Sequence, residues 1–189
     1  GSITDLSLLQ DAFAGADYVF HQAALASVPL SIQDPLRADE VNVRGSLNVL
    51  IAARDNRVKK VICASSCAIY GNTTTLPITE STSPDPQSPY AVTKLTTEHY
   101  CRVFSRIYGL PAVCLRYFNV YGPRQDPRSD YAAVIPRFIT QALHSQPLII
   151  FGTGNQTRDF VFVRDIVAAN ITAADAASPG EYNIGSGVE

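Results

Sequence analysis

Apolar runs of strand length alternate with stretches of helical periodicity along nearly the whole chain, and that alternation leaves few folds open. The runs 17–21, 58–64, 111–117, 148–151, 160–163 and 181–184 are short and rich in β-branched and aromatic residues. Between them, 5–14, 34–54, 89–108, 132–144 and 165–177 carry apolar residues at helical spacing. Strands that alternate with helices predict an α/β architecture, a doubly wound parallel sheet. Gly152-Thr153-Gly154 reads as a hairpin turn joining 148–151 to 160–163, and the Thr- and Pro-rich stretch 71–87 as a long surface loop.

Composition narrows the function classes. With 46% hydrophobic residues the 189-residue chain can bury a substantial core. A net charge of -2, with lysines and arginines scattered, provides no basic stripe for nucleic acid. No apolar run approaches the roughly 20 residues a membrane span needs, and the N-terminus does not read as a signal peptide. Cys63, Cys67, Cys101 and Cys114 form no Cys-x-x-Cys pair and stand near no His cluster, which predicts reduced thiols in a cytoplasmic protein and no metal site.

The chemistry is written in Ser88-Pro89-Tyr90-Ala91-Val92-Thr93-Lys94. Ser88 suits an N-cap and Pro89 the first helical position, so Tyr90 and Lys94 share one face of a helix. A phenol titrates near pH ~10; a neighbouring ammonium is expected to lower that value, so that the oxygen can accept a proton. The strand 58–64 ends at Ala64-Ser65-Ser66, at the carboxyl edge where α/β sheets put their sites.

Ser66, then Tyr70-Gly71, then Ser88-Pro89-Tyr90 and Lys94 resemble the serine–tyrosine–lysine triad of the extended short-chain dehydrogenase/reductase family, the NAD-dependent nucleotide-sugar epimerases and dehydratases. The resemblance runs from about Gly1 to Gly187 and is most marked to the UDP-N-acetylglucosamine and UDP-glucose 4-epimerases. It is carried there by Asp17-Tyr18-Val19-Phe20-His21-Gln22-Ala23-Ala24, Arg116-Tyr117-Phe118-Asn119-Val120-Tyr121-Gly122, Tyr131-Ala132-Ala133-Val134-Ile135-Pro136 and Arg158-Asp159-Phe160. It implies a Rossmann-like sheet of strand order 3-2-1-4-5-6, of which this chain begins at strand 4. The chain has no methionine and no Gly-x-x-Gly-x-x-Gly between strand and helix, so it is expected to be a piece of a longer protein with an uncovered hydrophobic edge at its first strand. Residues 1–122 are then the second half of the NAD-binding domain. Residues 123–189 begin a small substrate domain and return to the sheet.

The same resemblance implies the site. Tyr90, Lys94 and Ser66 are its catalytic residues. Ser2, Ile3, Gln22, Ala23, Ala24, Leu25, Asn42, Ala64, Ser65, Tyr117 and Phe118, with Tyr90 and Lys94, are its NAD contacts, Ser2 standing where the family usually has Asp. Ser27, Ser66, Asn119, Gln125, Ala133, Val134, Phe151 and Arg158 face a UDP-sugar, with Arg158 on the diphosphate. His21 is expected to be a core histidine. The implied reaction is 4-epimerisation of a UDP-hexose through a 4-keto sugar, in a homodimer built on the helices 39–54 and 89–108. The alternatives are another nucleotide-sugar reductase or dehydratase, or a non-catalytic NAD-binding module. Cys67 and Ala68 stand where 4,6-dehydratases need an acid pair, which weighs against dehydration.

Overall fold

Two strands buried on both faces set the architecture. In β2 (Lys60–Ser66) and β3 (Ala112–Tyr117) alternate side chains enter opposite cores. Val61, Cys63, Ala112 and Cys114 pack with α1 (Leu6–Ala12), α4 (Gly45–Asp55) and α5 (Pro89–Tyr108). Ile62, Val113 and Leu115 pack instead on Ala173 and Ala174 of α7 (Val163–Asp175). The computed structural model describes residues 1–127, 133–150 and 152–188.

The main sheet is parallel throughout, in the order β1 (Tyr18–His21), β2, β3, β6 (Gly180–Ile184), with helices on both faces as the alternation predicts. β1 lies at an edge of this sheet, and Tyr18 and Phe20, on one of its faces, are 41% and 47% exposed. A second sheet of two parallel strands, β4 (Asn119–Tyr121) and β5 (Phe160–Phe162), sits beyond the carboxyl end of β3. The hairpin predicted between 148–151 and 160–163 does not form. β5 takes its hydrogen bonds from β4 in parallel, while 148–150 is irregular, with Leu148, Ile149 and Ile150 about half exposed. Short helices α2 (Val28–Gln33) and α6 (Val134–Leu143) complete the chain with α3 (Pro35–Asp39), which leads through a π-helical turn at Glu40–Arg44 into α4.

Local chemistry sets α5 as the sequence predicts. The Ser88 hydroxyl accepts from the Ala91 N–H, Pro89 opens the helix, and Gly109 closes it at φ 65° in the left-handed region. Beside the apolar Cys101 and Phe104, the helix also buries a polar row: Thr93, Lys94, Thr97 and Glu98. Glu98 is the hub. Arg116 of β3 forks onto both its carboxylate oxygens at 2.9 and 2.8 Å, and the Ser65 hydroxyl donates to it at 2.5 Å. Arg116 also donates to the Tyr70 hydroxyl, which donates in turn to Asn183 of β6, both at 2.7 Å.

Breaking one side of such a pair strands a buried charge. Arg116→Met is expected to cost about 3–5 kcal/mol in urea denaturation, and Glu98→Leu added to it to recover most of that loss. A single-variant loss under about 1 kcal/mol contradicts this account of the core.

Candidate active site

At the carboxyl edge of β2 the chain turns through Ser66, whose hydroxyl accepts from the Ala68 N–H and caps a 3-10 turn, Cys67–Tyr70. Tyr90, in the first turn of α5, faces it. Burial raises the Tyr90 phenol above its usual range, the Ser66 hydroxyl pulls it back by hydrogen bonding, and the Cys67 thiol pushes it up again. Lys94 lies one turn on, its ammonium 5.8 Å from the Tyr90 ring centre, and donates to the Ala64 carbonyl at 2.8 Å. Burial lowers the Lys94 pKa, against the opposing pull of Cys63 and Cys114. The three triad residues are thus together, and the Tyr90 backbone N–H is pinned by the buried Ser31 hydroxyl at 3.0 Å. One expectation fails: the Tyr90 phenol is raised in the protein alone, with burial the largest cause.

The residues expected around NAD divide into two groups. Ala23, Ala24 and Leu25 follow β1 as low side chains over the carboxyl edge. Asn42, fully buried in the π-helical turn, holds Leu25 by both backbone groups: its Oδ1 accepts from the Leu25 N–H at 2.8 Å and its Nδ2 donates to the Leu25 carbonyl at 3.2 Å and to Thr93. Gln22 and Tyr117 close a ring with Asn170 of α7: Tyr117 donates to Gln22 at 3.1 Å, Gln22 to Asn170 at 3.0 Å, and Asn170 to Tyr117 at 2.7 Å. Phe118 donates its N–H to Ile184. The Ser65 hydroxyl points away from the edge into Glu98, and Ile3 packs on the core while accepting from Asn48. Ser2 is exposed and bonds Thr4. His21 is the core histidine expected, 2.8 Å from the Ser46 hydroxyl and held neutral by burial.

This edge fits a flat dinucleotide. The small side chains at 23 and 24 leave the backbone approachable, and Lys94 spends only one of its three N–H bonds on protein among the described residues. The ammonium can therefore also serve ribose hydroxyls.

Two clefts open on the far side. The larger, about 680 Å³, runs from Cys67 and Ala68 past Ile78 and Asn119 to Arg158 and Asp159. The smaller, about 300 Å³, is lined by Asn119, Gln125, Ala133, Val134, Arg158 and Phe160. Five of the residues expected to face the nucleotide thus share one wall. Asn119 donates to the Asp159 carbonyl, and Gln125 donates to Val120 while its buried Oε1 has no partner among the described residues. Ser27 caps α2, its hydroxyl accepting from the Leu30 N–H, and Phe151 lies outside the described residues. Burial pushes the Cys67 thiol up to about 11, so a neutral thiol borders the larger cleft.

Sequence reasoning missed Glu98, Asn170 and Ser31. Glu98 carried a signal: it lies four residues beyond Lys94, on the face already assigned to the sheet. Asn170 and Ser31 carried none.

A family model described as the NAD dependent epimerase/dehydratase family matches residues 1–185. A putative UDP-glucose 4-epimerase of Methanocaldococcus jannaschii is 42% identical over 178 residues, covering 94% of this chain and 58% of the relative. The solved UDP-N-acetylglucosamine 4-epimerase of Methanobrevibacter ruminantium, in complex with UDP-N-acetylmuramic acid, superposes with a TM-score of 0.95 at 46% identity, over 98% of this chain and 59% of that one. The UDP-glucose 4-epimerase of Thermus thermophilus, solved with NAD, gives 0.92 at 38% identity, over 100% and 63%. dTDP-glucose 4,6-dehydratases also match. The chain therefore spans about three fifths of the length of these epimerases. With its parallel sheet, its convergent Ser66, Tyr90 and Lys94, and a family match over almost its entire length, the chain belongs to the NAD-dependent epimerase/dehydratase family.

Proposed function

We propose that the protein carrying this chain interconverts a UDP-hexose and its C4 epimer, with or without an N-acetyl group on the sugar, using NAD. The observation that carries this reading is the meeting of the Ser66 hydroxyl with the Tyr90 phenol beside a cleft that ends at Asn119 and Arg158. A sugar hydroxyl and a diphosphate have matching groups at its two ends.

Tyr90 takes the proton of the 4-hydroxyl and returns it. Ser66 hydrogen-bonds the same sugar oxygen and passes the proton between it and the phenol. Bound NAD supplies the hydride acceptor for C4 on the outward step, the donor on the return, and, in its oxidised form, a positive charge. Lys94, Tyr90, Tyr117, Phe118 and the backbone of 22–25 would hold it, with Ala64 fixing the lysine. Because burial keeps Tyr90 a phenol in the protein alone, the phenol becomes a base only when added positive charge offsets desolvation. Arg158 and Asn119 anchor the UDP diphosphate while the 4-keto sugar turns over; a guanidinium fork suits that anion. Ala133, Val134 and Gln125 line the path of the base, and the unpartnered Gln125 oxygen has room for an N–H donor.

Dehydration is the weaker reading. Cys67 and Ala68 provide no acid pair after Ser66, and the buried thiol is held protonated at neutral pH. A non-catalytic NAD-binding module is disfavoured by the intact triad. The cytoplasmic setting read from the sequence belongs to the same proposal. For the homodimer, α5 supplies an exposed stripe of Val92, Val103 and Ile107, whereas Leu36 is the one large apolar side chain exposed along Pro35–Asp55. The two-helix interface read from the sequence therefore rests mainly on α5.

Tyr90→Phe is expected to lower turnover about 10²–10⁴-fold while leaving UDP affinity within about twofold; unchanged turnover removes Tyr90 as the base. In the NAD-free protein, phenolate absorbance assigned by difference against Tyr90→Phe is expected to appear only above pH ~10, the direction burial dictates, and to move to lower pH when NAD binds. Light scattering of the intact protein is expected to give a dimer, and Ile107→Lys a monomer; a monomeric parent at micromolar concentration removes the interface.

A further inference from the structure

Arg158 and Asp159 are adjacent in sequence and share the larger cleft, so mutual neutralisation would be the simplest arrangement. It does not occur. Among the described residues Arg158 forms no ion pair, and its Nη1 donates only to the Thr157 carbonyl. The Asp159 carboxylate is committed elsewhere: Oδ1 accepts from the Ser186 N–H at 2.8 Å and the Ser186 hydroxyl at 2.7 Å, and Oδ2 from the Gly187 N–H at 3.0 Å. These donors belong to the turn that follows β6 and walls the same cleft. The Asp159 carbonyl meanwhile holds Asn119 through both its backbone N–H, at 3.0 Å, and its side-chain amide, at 3.1 Å.

Gly185 guards this arrangement. A Cβ there would stand 2.6 Å from Asp159 Oδ2, although the backbone itself, outside the left-handed region, would accept alanine. A side chain at 185 therefore forces the carboxylate to shift within its three-donor nest.

We propose that Asp159 is a positioning residue for the anion site: by committing its charge to the 186–187 turn, it leaves the Arg158 guanidinium unneutralised for a diphosphate and fixes the turn as the cleft wall. This rests on the reading of Arg158 as the diphosphate anchor. It deepens that reading by naming what keeps the arginine available.

Calorimetric titration of the intact protein with UDP tests both levels. Arg158→Gln is expected to weaken UDP binding about tenfold or more, the loss of a charge-assisted contact. Gly185→Ala, which removes no group from the anion, is expected to weaken it by about tenfold through the displaced carboxylate. Adding Asp159→Asn to Gly185→Ala is expected to regain about threefold or more, because the displaced group then carries no charge. Ser186→Ala, which withdraws one donor and keeps the turn backbone, is expected to weaken UDP by about two- to threefold and covers the case of a poorly folding Gly185→Ala. If Arg158→Gln leaves UDP affinity unchanged, the anchor reading falls and this inference with it. If Arg158→Gln weakens binding but Gly185→Ala and Ser186→Ala do not, or if the double variant binds no better than Gly185→Ala, the inference alone is overturned and the turn is merely structural.

Discussion

The structure depends on a helix that buries polar groups. α5 lays Thr93, Lys94, Thr97 and Glu98 against the sheet and the neighbouring helices, and each is expensive to bury unless paired. Their partners therefore dictate residues on β2, β3, the π-helical turn and, through Thr97 and Ser46, α4. The Ala64 carbonyl of β2 takes Lys94, and Arg116 of β3 takes Glu98. Asn42 of the π-helical turn meets Thr93 and, by the same amide, holds Leu25 at the end of β1. The Ser65 hydroxyl goes to Glu98, which leaves Ser66, on the opposite side of the strand, to face Tyr90.

Charge is managed the same way across the clefts. The groups nearest the reacting end, Tyr90 and Cys67, are kept neutral by burial. Glu98 is matched by Arg116 below the surface, so it does not compete for Lys94 one turn away. At the anchoring end Asp159 is absorbed by backbone donors. Among the described residues, two cations keep unspent donors: buried Lys94, which gives one N–H to Ala64, and exposed Arg158. That pattern suits ligands whose charge is in their phosphates.

Much of this was legible in the sequence because it is local. The ends of α5 follow from Ser88, Pro89 and Gly109, and the two-faced strands from unbroken apolar runs at Val61–Ala64 and Ala112–Leu115. The triad followed from a four-residue spacing and a strand end. What was illegible depends on partners distant along the chain. The apolar run 148–150 has strand composition, but β5 found its partner in β4, about 40 residues upstream, and hydrogen bonding rather than propensity decided the pairing. The resemblance implies Asn42 and Ser65 as cofactor contacts; the protein partners of their side chains, Leu25 and Glu98, lie far along the chain and are not visible in it. The pKa of Tyr90 was misjudged because spacing reveals a charge nearby but not the desolvation that opposes it.

In the proposed function these residues serve oxidation and reduction at C4 with no loss of water. Its most direct test is to incubate the intact protein with a UDP-hexose in deuterated water and follow the sugar by NMR. The expected product is the C4 epimer, at equilibrium with its parent, with no solvent deuterium at any carbon. A 4-keto-6-deoxy product, or deuterium entering at C5, would instead mean elimination of water and contradict it.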